Sequence, residues 1–315
     1  MKLAFAGTPE FAVPSLRAVA EAGHEVRLVV TQPDRPRGRG LHLVPPPVKV
    51  EAKRLGLPVW QPESPQPEEL ANALRRAEAE ALVVVAFAHK IPPEVLSLPR
   101  YGCINVHASL LPRWRGASPI AHAILEGDRL TGVTIMQMNE GWDTGPILLQ
   151  ATEPIGPADT AASLHDRLAA KGATLLVEAL SRLEAGTIRP LAQPPSGATS
   201  APRLKREDGA VDWSRPAERI ERQIRAFTPW PGAYTALEGK LLKLVEARVE
   251  TGRAQADPGE LVAVDAGDAS ILVGCGEGSL LRVTRVQPEG SRVMTGLDLA
   301  NGMRLKPGQR FSSQG

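Results

Sequence analysis

Short apolar runs alternate with amphipathic stretches through the first half of the chain. Five runs have the length and composition of buried strands, at 3–6, 25–30, 82–86, 102–106 and 133–138. Helical spacing of apolar residues lies between or after these runs, at 14–22, 68–80, 118–126 and 160–185. Alternation of strand and helix patterns predicts an α/β domain whose mostly parallel sheet carries helices on both faces.

The pattern changes after residue 188. The next residues are rich in Pro, Ser, Gly and Ala, which is typical of a linker. A helical pattern at 216–227 precedes short strand-like segments at 241–249, 259–264, 271–274 and 279–286, with turn residues between them. We therefore predict a Rossmann-like, doubly wound domain at 1–188, a linker at 189–206 and a small OB-like β-barrel at 207–315.

Composition limits the classes to which the chain can belong. Of its 315 residues, 43% are hydrophobic and 23% are charged, as in globular proteins. A net charge of +2 excludes a polycation, so any contact with nucleic acid must come from local patches. Two cysteines argue against a disulfide framework. No run reaches the ~18 apolar residues of a membrane span, and the N-terminus does not resemble a signal peptide. We expect a soluble, cytoplasmic monomer without membrane contact.

Polar side chains lie at the end of the strand predicted at 102–106. Asn105 and His107 are two residues apart, so on a strand they share one face. Asp143 lies in a Gly-rich turn after the next predicted strand. Parallel sheets bind ligands beyond the carboxyl ends of their strands, so we expect the three side chains to meet at that edge. An amide, an imidazole and a carboxylate can together stabilise an oxyanion and move protons.

Each of these residues also has an ordinary structural interpretation. A lone histidine such as His107 is more often a structural residue, and Asp143 before Thr and Gly can simply cap a turn. Cys103 is not a partner for His107, because residues four apart on a strand are separated by about 13 Å; we expect a small buried thiol. The Gly-x-Gly-x-x-Gly and P-loop patterns are missing, which disfavours nicotinamide binding and a P-loop site. No ligand spacing predicts a metal site.

The segment after the second predicted strand is long, rich in Pro and Gly, and basic. Residues 31–54 contain six Lys or Arg against two acids. One interpretation is a solvated flexible loop, and the other is a phosphate-seeking arm that becomes ordered on RNA or a nucleotide. A second basic bias lies at 282–310, with six cations against Glu289 and Asp298. Two local basic patches are better suited to binding one polyanion of limited size than to binding polyanions in general.

Several of these motifs resemble one known family. Residues 105–107 followed by 109–116 resemble the signature of the 10-formyltetrahydrofolate-dependent formyltransferases, and 132–138 and the 143–145 turn are similar to the same family. Residues 5–9, 31–36 with 38–40, and 224–231 resemble the branch whose members act on initiator methionyl-tRNA. The resemblance runs from about residue 3 to 235 and is most specific in the first 150.

The resemblance implies transfer of the formyl group of 10-formyltetrahydrofolate to an amine, without a metal. It implies Asn105, His107 and Asp143 as the catalytic trio. The expected folate-binding residues are Ser109, Leu110, Leu111, Pro112, Phe87 and Ile91, and the expected tRNA-binding residues are Arg35, Arg37, Arg39 and Lys49. Relatives usually carry Gly where Ala88 stands and apolar residues after it, so His89 and Lys90 are departures.

Three rival functions remain open at this point. A formyltransferase acting on a small amine, such as an amino nucleotide sugar, would share the trio and parts of the second domain. A purine-pathway formyltransferase usually lacks the second domain. A non-catalytic RNA-binding protein would bind RNA and transfer no formyl group under any condition. The basic segment and the second domain favour the tRNA substrate.

Overall fold

The computed structural model describes residues 1–37 and 42–312. The chain forms two compact units. The first contains Met1–Pro119, Leu130–Pro154 and His165–Pro202, and the second contains Ile120–Arg129, Ile155–Leu164 and the chain from Arg203 onward. The second unit thus takes two short pieces from within the range 1–188. No helix in the described ranges is both long and apolar enough to cross a membrane.

Strands and helices alternate through the first unit, and strands dominate the second. The strands are β1 Lys2–Gly7, β2 Glu25–Val30, β3 Arg35–Arg37, β4 His42–Val44, β5 Val59–Trp60, β6 Ala81–Val85, β7 Cys103–His107, β8 Leu130–Gln137, β9 Ile147–Pro154, β10 Ala233–Leu237, β11 Lys240–Glu250, β12 Leu261–Asp265, β13 Ser270–Gly274, β14 Leu280–Pro288, β15 Met294–Thr295 and β16 Phe311–Ser312. The helices are α1 Val13–Glu21, α2 Pro47–Arg54, α3 Pro67–Arg76, α4 Pro93–Leu96, α5 Pro119–Leu125, α6 Ala161–Glu184, α7 Ala217–Ala226 and α8 Gly296–Met303.

The sheet of the first unit has the strand order β5-β2-β1-β6-β7-β8-β9. Neighbours from β5 to β7 are parallel, whereas β8 is antiparallel to β7 and β9 is antiparallel to β8. Strands β1 and β6 are almost entirely buried, as expected for a sheet covered on both faces. The five strands predicted from apolar runs are β1, β2, β6, β7 and β8, so the mostly parallel α/β prediction is confirmed.

The basic segment after β2 contains regular structure that its composition does not predict. Strands β3 and β4 form an antiparallel hairpin, with Arg35 opposite Val44 and Pro36 opposite Leu43. Helix α2 follows, and it begins at Pro47, a position where the fixed φ and missing N–H of proline are tolerated. The interpretation as a loop is therefore wrong for residues 35–37, 42–44 and 47–54.

A buried carboxylate holds α2 against α1. Glu51 is 8% exposed and accepts hydrogen bonds from Arg54 Nε at 2.9 Å and from Arg17 Nε at 2.7 Å. Hydrogen bonds from Arg54 and Arg17, together with the attraction of their charges, lower the pKa of Glu51 to about 2. The fold therefore stabilises the ionised form of this side chain.

Glu51→Gln is expected to lower the free energy of unfolding near neutral pH by about 2 kcal/mol, because it removes the charge from both ion pairs. The folded-state pKa is the lower one, so this stabilisation is present above about pH 4.5 and is lost as the pH falls toward 2. Urea denaturation of both proteins at several pH values measures the difference, which should shrink below about pH 4.5. The matched control is Glu63→Gln, which removes an exposed ion pair with Arg35. If the difference in free energy of unfolding between the wild type and Glu51→Gln stayed constant down to pH 3, the lowered pKa of Glu51 would be contradicted.

An antiparallel sheet forms the core of the second unit. Its strands follow the order β12-β13-β14-β11-β10-β16, and β15 pairs with β14. Backbone hydrogen bonds between 259–261 and 308–311 join the two ends of the sheet, which therefore curls into a small barrel. The interior is apolar, and its members include Trp213, Ile220, Leu244, Ile271, Val283 and Phe311. The predicted β-barrel is confirmed, although β10, α8 and β16 have no clear pattern in the sequence.

Candidate active site

His107 is the last residue of β7, and the backbone holds its ring. Ring Nε2 is 2.9 Å from the carbonyl oxygen of Trp114. A carbonyl oxygen can only accept, so Nε2 carries the hydrogen and donates it. The side chain is 8% exposed, and Nδ1 makes no hydrogen bond to the part of the chain that the structure describes. The fold thus fixes the ring and leaves Nδ1 as the nitrogen that can exchange a proton.

Asp143 reaches His107 by a different route from the expected one. Strand β8 is antiparallel to β7, with Thr134 opposite His107 and Gln137 opposite Ile104, so the carboxyl end of β8 lies away from His107. The turn after β8 folds back and brings Asp143 Oδ2 to 3.7 Å from His107 Nδ1. This distance suits an ion pair but is too long for a hydrogen bond. The two side chains do meet, although not because two parallel strands end together.

Backbone groups also hold the Asp143 carboxylate. Its Oδ2 accepts a hydrogen bond from the N–H of Gly116 at 2.8 Å. Asp143 has φ +52°, and Trp114, whose carbonyl binds His107, has φ +62°. Non-glycine residues rarely adopt this region, Asp and Asn more often than most. Such strained backbone persists only where its surroundings support it, and it is common at functional sites. The Trp114 carbonyl and the Gly116 N–H were missed from the sequence because backbone groups carry no side-chain signal.

Asn105 faces away from α6, on the same side of β7 as His107. Its neighbour Val106 packs toward α6, where a Cβ on Gly172 would lie 2.9 Å from Val106 Cγ1. Asn105 Nδ2 donates to the carbonyl oxygen of Val84 on β6 at 3.2 Å, and Oδ1 is buried without a hydrogen-bond partner in the described residues. An unpaired buried polar atom costs about 1–3 kcal/mol. As an acceptor near His107, it is available to a ligand group that donates a hydrogen bond.

Two side chains that the sequence did not single out support the segment after β7. Thr134 is fully buried, donates to the Ser109 carbonyl at 2.6 Å and accepts from the Leu111 N–H at 3.1 Å. Gln150 donates to Thr134 Oγ1 and to the Leu111 carbonyl, both at 2.9 Å. Thr134 lies within the 132–138 motif, which was the only signal for it. These bonds fix the backbone immediately beyond His107.

Burial divides the six residues expected to bind folate. Ser109, Leu111 and Ile91 are buried, whereas Leu110, Pro112 and Phe87 are partly exposed. Phe87 follows Ala86, which has φ +47° at the end of β6, and its ring centroid is 5.3 Å from that of His89. His89 Nε2 is buried and lacks a hydrogen-bond partner within the described chain. The three partly exposed residues can contact a ligand through their side chains, and the three buried ones only through backbone or packing.

Lys49 lies at the base of the β3–β4 hairpin, where it forms an ion pair. It is 14% exposed, and its Nζ donates to the two carboxylate oxygens of Asp34 at 2.7 and 2.8 Å. Hydrogen bonds from Gln61 and from Lys49 lower the pKa of Asp34. Lys49 therefore stabilises the hairpin, and it would have to exchange Asp34 for a phosphate in order to bind RNA.

The three arginines expected to bind tRNA lie in or beyond β3. Arg35 is exposed and forms an ion pair with Glu63 at 2.7 Å, which is of little energetic consequence at the surface. Arg37 is the last residue of β3. Arg39 lies outside the described residues. The exposed side chain of Leu43 on β4 adds apolar surface to the hairpin.

Part of the basic bias at 282–310 is neutralised within the barrel. Arg282 donates to Glu250 at 2.5 Å and to Asp265 at 2.6 Å, and it is only 11% exposed. Arg310 forms an ion pair with Asp257. Arg282 is engaged by the fold, whereas the Arg310 pair is exposed and of little energetic consequence, so the sequence count overstates the charge available to a polyanion by one cation at least.

Cys103 is buried close to this site and is not a nucleophile. Burial raises the pKa of the Cys103 thiol to about 12, which confirms the expected inert, buried residue. Within residues 1–37 and 42–312, no group of three or more His, Cys, Asp or Glu is arranged to hold a metal ion. The arrangement that remains is a histidine–carboxylate pair beside an amide, suited to general acid–base chemistry and charge stabilisation.

Comparison with known proteins gives matches along both units. Residues 1–180 match the formyl transferase profile, and 203–304 match the formyl transferase C-terminal domain. The chain is 51% identical to the methionyl-tRNA formyltransferase of Anaeromyxobacter dehalogenans over 308 residues, which is 97% of this chain and 98% of the relative.

Two solved structures show the same fold. The N-formyltransferase from Helicobacter canadensis, in complex with folinic acid and dTDP-3-aminofucose, matches with a TM-score of 0.65 and 18% identity over 91% of this chain and 99% of that one. The methionyl-tRNA formyltransferase from Clostridium thermocellum matches with a TM-score of 0.55 and 18% identity over 82% of this chain and 97% of that one. At these identities the likeness concerns the fold alone.

Proposed function

The chain belongs to the formyl transferase family, and we propose that it transfers the formyl group of 10-formyltetrahydrofolate to the α-amine of methionyl-initiator tRNA. The observation that carries this proposal is the 51% identity to a methionyl-tRNA formyltransferase along nearly the whole chain. Both domain profiles match, so the similarity includes the second unit. Initiator tRNA is a substrate of the cytoplasm, which supports a cytoplasmic enzyme, and a monomer stays our prediction.

The surroundings of Asn105 fit a folate formyl donor. Asn105 Oδ1 and His89 Nε2 are buried polar atoms that lack partners in the described chain. Oδ1 can only accept, so a donor such as the N–H of the attacking amine would pair with it, whereas the second Nδ2 hydrogen would serve the formyl oxygen. The partly exposed Phe87, Leu110 and Pro112 offer aromatic and apolar surface to a flat heterocycle. We assign the pterin to the loop after β6 and the formyl end to Asn105. When bound, 10-formyltetrahydrofolate supplies the formyl group that is transferred.

Three side chains divide the chemistry of the transfer. Asn105 would donate the Nδ2 hydrogen not used by Val84 to the formyl oxygen, and a charged His107 would donate its Nδ1–H to the same oxygen. Asp143, beside Nδ1, would stabilise the charged ring and carry a proton from the attacking amine toward the leaving nitrogen. The amine adds to the formyl carbon and places negative charge on the formyl oxygen; the carbonyl then re-forms as the bond from that carbon to the folate nitrogen breaks, so no covalent enzyme intermediate is required.

The β3–β4 hairpin would contact the acceptor end of the tRNA. Arg35, Arg37 and Arg39 supply cations for phosphate or base edges, and the exposed Leu43 supplies apolar contact. Lys49 contributes by holding Asp34 at the base of the hairpin. The hairpin therefore selects the substrate, whereas the trio performs the chemistry.

A formyltransferase acting on an amino nucleotide sugar is the second candidate. The observation in its favour is the likeness in fold to the Helicobacter canadensis enzyme, whose structure contains dTDP-3-aminofucose. That likeness is at 18% identity, whereas the 51% identity is to a methionyl-tRNA enzyme. The basic hairpin also suits an RNA better than a small amine.

One assay separates these functions. The protein is incubated with 10-formyltetrahydrofolate and either methionyl-initiator tRNA or an amino nucleotide sugar, and the product is analysed after hydrolysis. We expect formyl-methionine from the tRNA and no product from the sugar. Formylation of the sugar amine alone would overturn the proposal, and RNA binding without any formyl transfer would identify a non-catalytic RNA-binding protein.

Arg39→Ala is expected to raise the KM for methionyl-tRNA about 5- to 100-fold, because an arginine contact to a base or phosphate is worth about 1–3 kcal/mol. The KM for 10-formyltetrahydrofolate should not change. Steady-state kinetics at several salt concentrations measure both, and the salt dependence for tRNA should weaken in the variant. The matched control is Arg27→Ala, since Arg27 is an exposed arginine on β2 that pairs with Glu25. If Arg27→Ala raised the KM for methionyl-tRNA as much as Arg39→Ala does, the hairpin would not be the part of the protein that contacts the RNA.

A further inference from the structure

A segment with the composition of a linker binds the backbone of the Asp143 turn and the backbone of the segment that orients His107. We define the site strap as residues 193–201. We propose that two of its members, Gln193 and Thr199, are positioning residues that set the placement of Asp143 and His107. This inference rests on the roles proposed above for those two residues, and it goes beyond them by making the connecting segment part of the active site.

Gln193 binds the backbone of the turn that contains Asp143. Its Nε2 donates to the carbonyl oxygens of Asp143 and Gly145, both at 2.8 Å. Its Oε1 accepts from Arg115, at 3.0 Å from Nε and 2.7 Å from Nη2. The amide therefore uses both donor hydrogens and both acceptor lone pairs. The reverse orientation would set Nε2 against the guanidinium and Oε1 against two carbonyls, so the contacts admit only one.

Thr199 holds the other side of the site. Its Oγ1 accepts from the N–H of Trp114 at 2.9 Å, and its carbonyl accepts from the N–H of Arg115 at 2.9 Å. The Trp114 carbonyl binds His107, and the N–H of Gly116 binds the Asp143 carboxylate. Thr199 therefore acts one residue away from the groups that orient both side chains.

The end of the strap completes this support. Ala201 accepts from the N–H of Ser118 at 3.1 Å and donates to the Arg115 carbonyl at 2.7 Å. Ala201 lies so close to Gly116 that a Cβ on Gly116 would be 2.6 Å from the Ala201 oxygen. Gly116 also has φ +122°. Glycine is thus required at the residue whose N–H holds Asp143, because the strap lies directly against it.

Burial identifies which residues of the site strap support the Asp143 turn and residues 114–116. Residues 194–198 and 200 are exposed, whereas Gln193 and Thr199 are partly buried and Ala201 is fully buried. The strap has no strand or helix of its own, so burial and hydrogen bonding at these three positions hold it in place. Asp143 and Trp114 both have positive φ, and such backbone needs external support. Gln193 and Thr199 supply that support.

Gln193→Glu is the most informative variant. Glutamate keeps the size of the side chain and its contact with Arg115, but it puts an oxygen against the carbonyls of Asp143 and Gly145. We expect kcat to fall about 10- to 100-fold, since small misplacements of reacting groups have effects of this order. The KM values for tRNA and folate should stay within about threefold. The pH at half-maximal kcat should move by at least about 0.5, because the environment of the Asp143–His107 pair changes.

Thr199→Val gives an independent second test, because it keeps the shape and removes only the acceptor for the Trp114 N–H. We expect kcat about 3- to 10-fold lower. The matched control is Ser196→Ala, an exposed residue of the same strap, for which kcat and its pH profile should equal those of the wild type. NMR signals of the His107 ring nitrogens and of the Asp143 amide should shift in the first two variants and not in the control.

Two results would overturn this inference. One is a Gln193→Glu protein with kcat within about twofold of the wild type and an unchanged pH profile. The other is a loss confined to KM or to melting temperature, which a merely structural role would produce. If the wild type formylates no substrate, the proposed function fails, and the NMR shifts still decide the role of the strap: unshifted His107 and Asp143 signals reject it, and shifted signals support it.

Discussion

Replacing Asp143 by asparagine is expected to lower kcat by about 100- to 10,000-fold with little change in the fold. Asparagine tolerates the positive φ of this position, and its Oδ1 can still accept the hydrogen bond from Gly116. What disappears is the negative charge 3.7 Å from His107 Nδ1. Without it the charged ring is not stabilised, and the route for the proton from amine to leaving nitrogen is lost.

Single-turnover kinetics with saturating tRNA and folate measure this effect apart from binding, and KM values should stay within a few-fold of the wild type. Asp166→Asn is a close control, because Asp166 also pairs with a histidine, His165, at 2.9 Å, but is 85% exposed. It should leave kcat unchanged. An Asp143→Asn protein that turns over within about threefold of the wild type would remove Asp143 from the chemistry.

The sequence predicts those parts of the fold that burial controls. Continuous apolar runs identify β1, β6, β7 and β8 because most of their residues are buried, and they identify β2, which is half buried, by the same apolar composition. Strand β9 is missed because it lies at the sheet edge and is half exposed. Strands β3 and β4 are missed because Arg, Pro and Gly dominate their segment, and the backbone pairing that forms them leaves no apolar pattern.

For the site, the sequence predicts which side chains come together, but it does not predict the route by which they meet. Asn105 and His107 share a face because β7 is a strand, which follows from local pattern alone. The approach of Asp143 to His107 depends on β8 being antiparallel and on a turn that folds back, and neither can be read from the apolar run of β8. The backbone groups at Trp114 and Gly116 have no sequence signal at all.

Composition is least informative for the segment at 189–206. Pro, Ser and Gly are typical of a flexible linker, yet Gln193 and Thr199 make specific hydrogen bonds to the turn and segment that hold the site. A single amide or hydroxyl among turn residues has no periodicity, so no pattern distinguishes a residue with partners from a solvated one. Long-range contacts of this kind are known only once the fold is known.

Asn105→Ala is expected to lower kcat by about 100- to 1,000-fold, the usual effect of removing one hydrogen-bond donor to a developing oxyanion. One Nδ2 hydrogen is donated to the Val84 carbonyl, so the donor that the substitution removes from the formyl oxygen is the other one. The substitution also leaves that carbonyl without its donor, so some loss of stability is expected, and thermal unfolding should be measured beside kcat. Asn105→Asp keeps the volume, but it also removes both Nδ2 hydrogens and sets an oxygen against the Val84 carbonyl, so it should lower the melting temperature more than Asn105→Ala does.

Both variants should therefore lose kcat to a similar extent, although their melting temperatures differ. Asn72→Ala is the matched control, since Asn72 is a partly exposed amide on α3 that accepts from Arg75 at 2.9 Å. Combining Asn105→Ala with Asp143→Asn should cost less than the product of the single effects, because the two groups act on the same transition state. An Asn105→Ala protein that retains more than about a tenth of wild-type kcat would show that the formyl oxygen is stabilised by His107 without the amide.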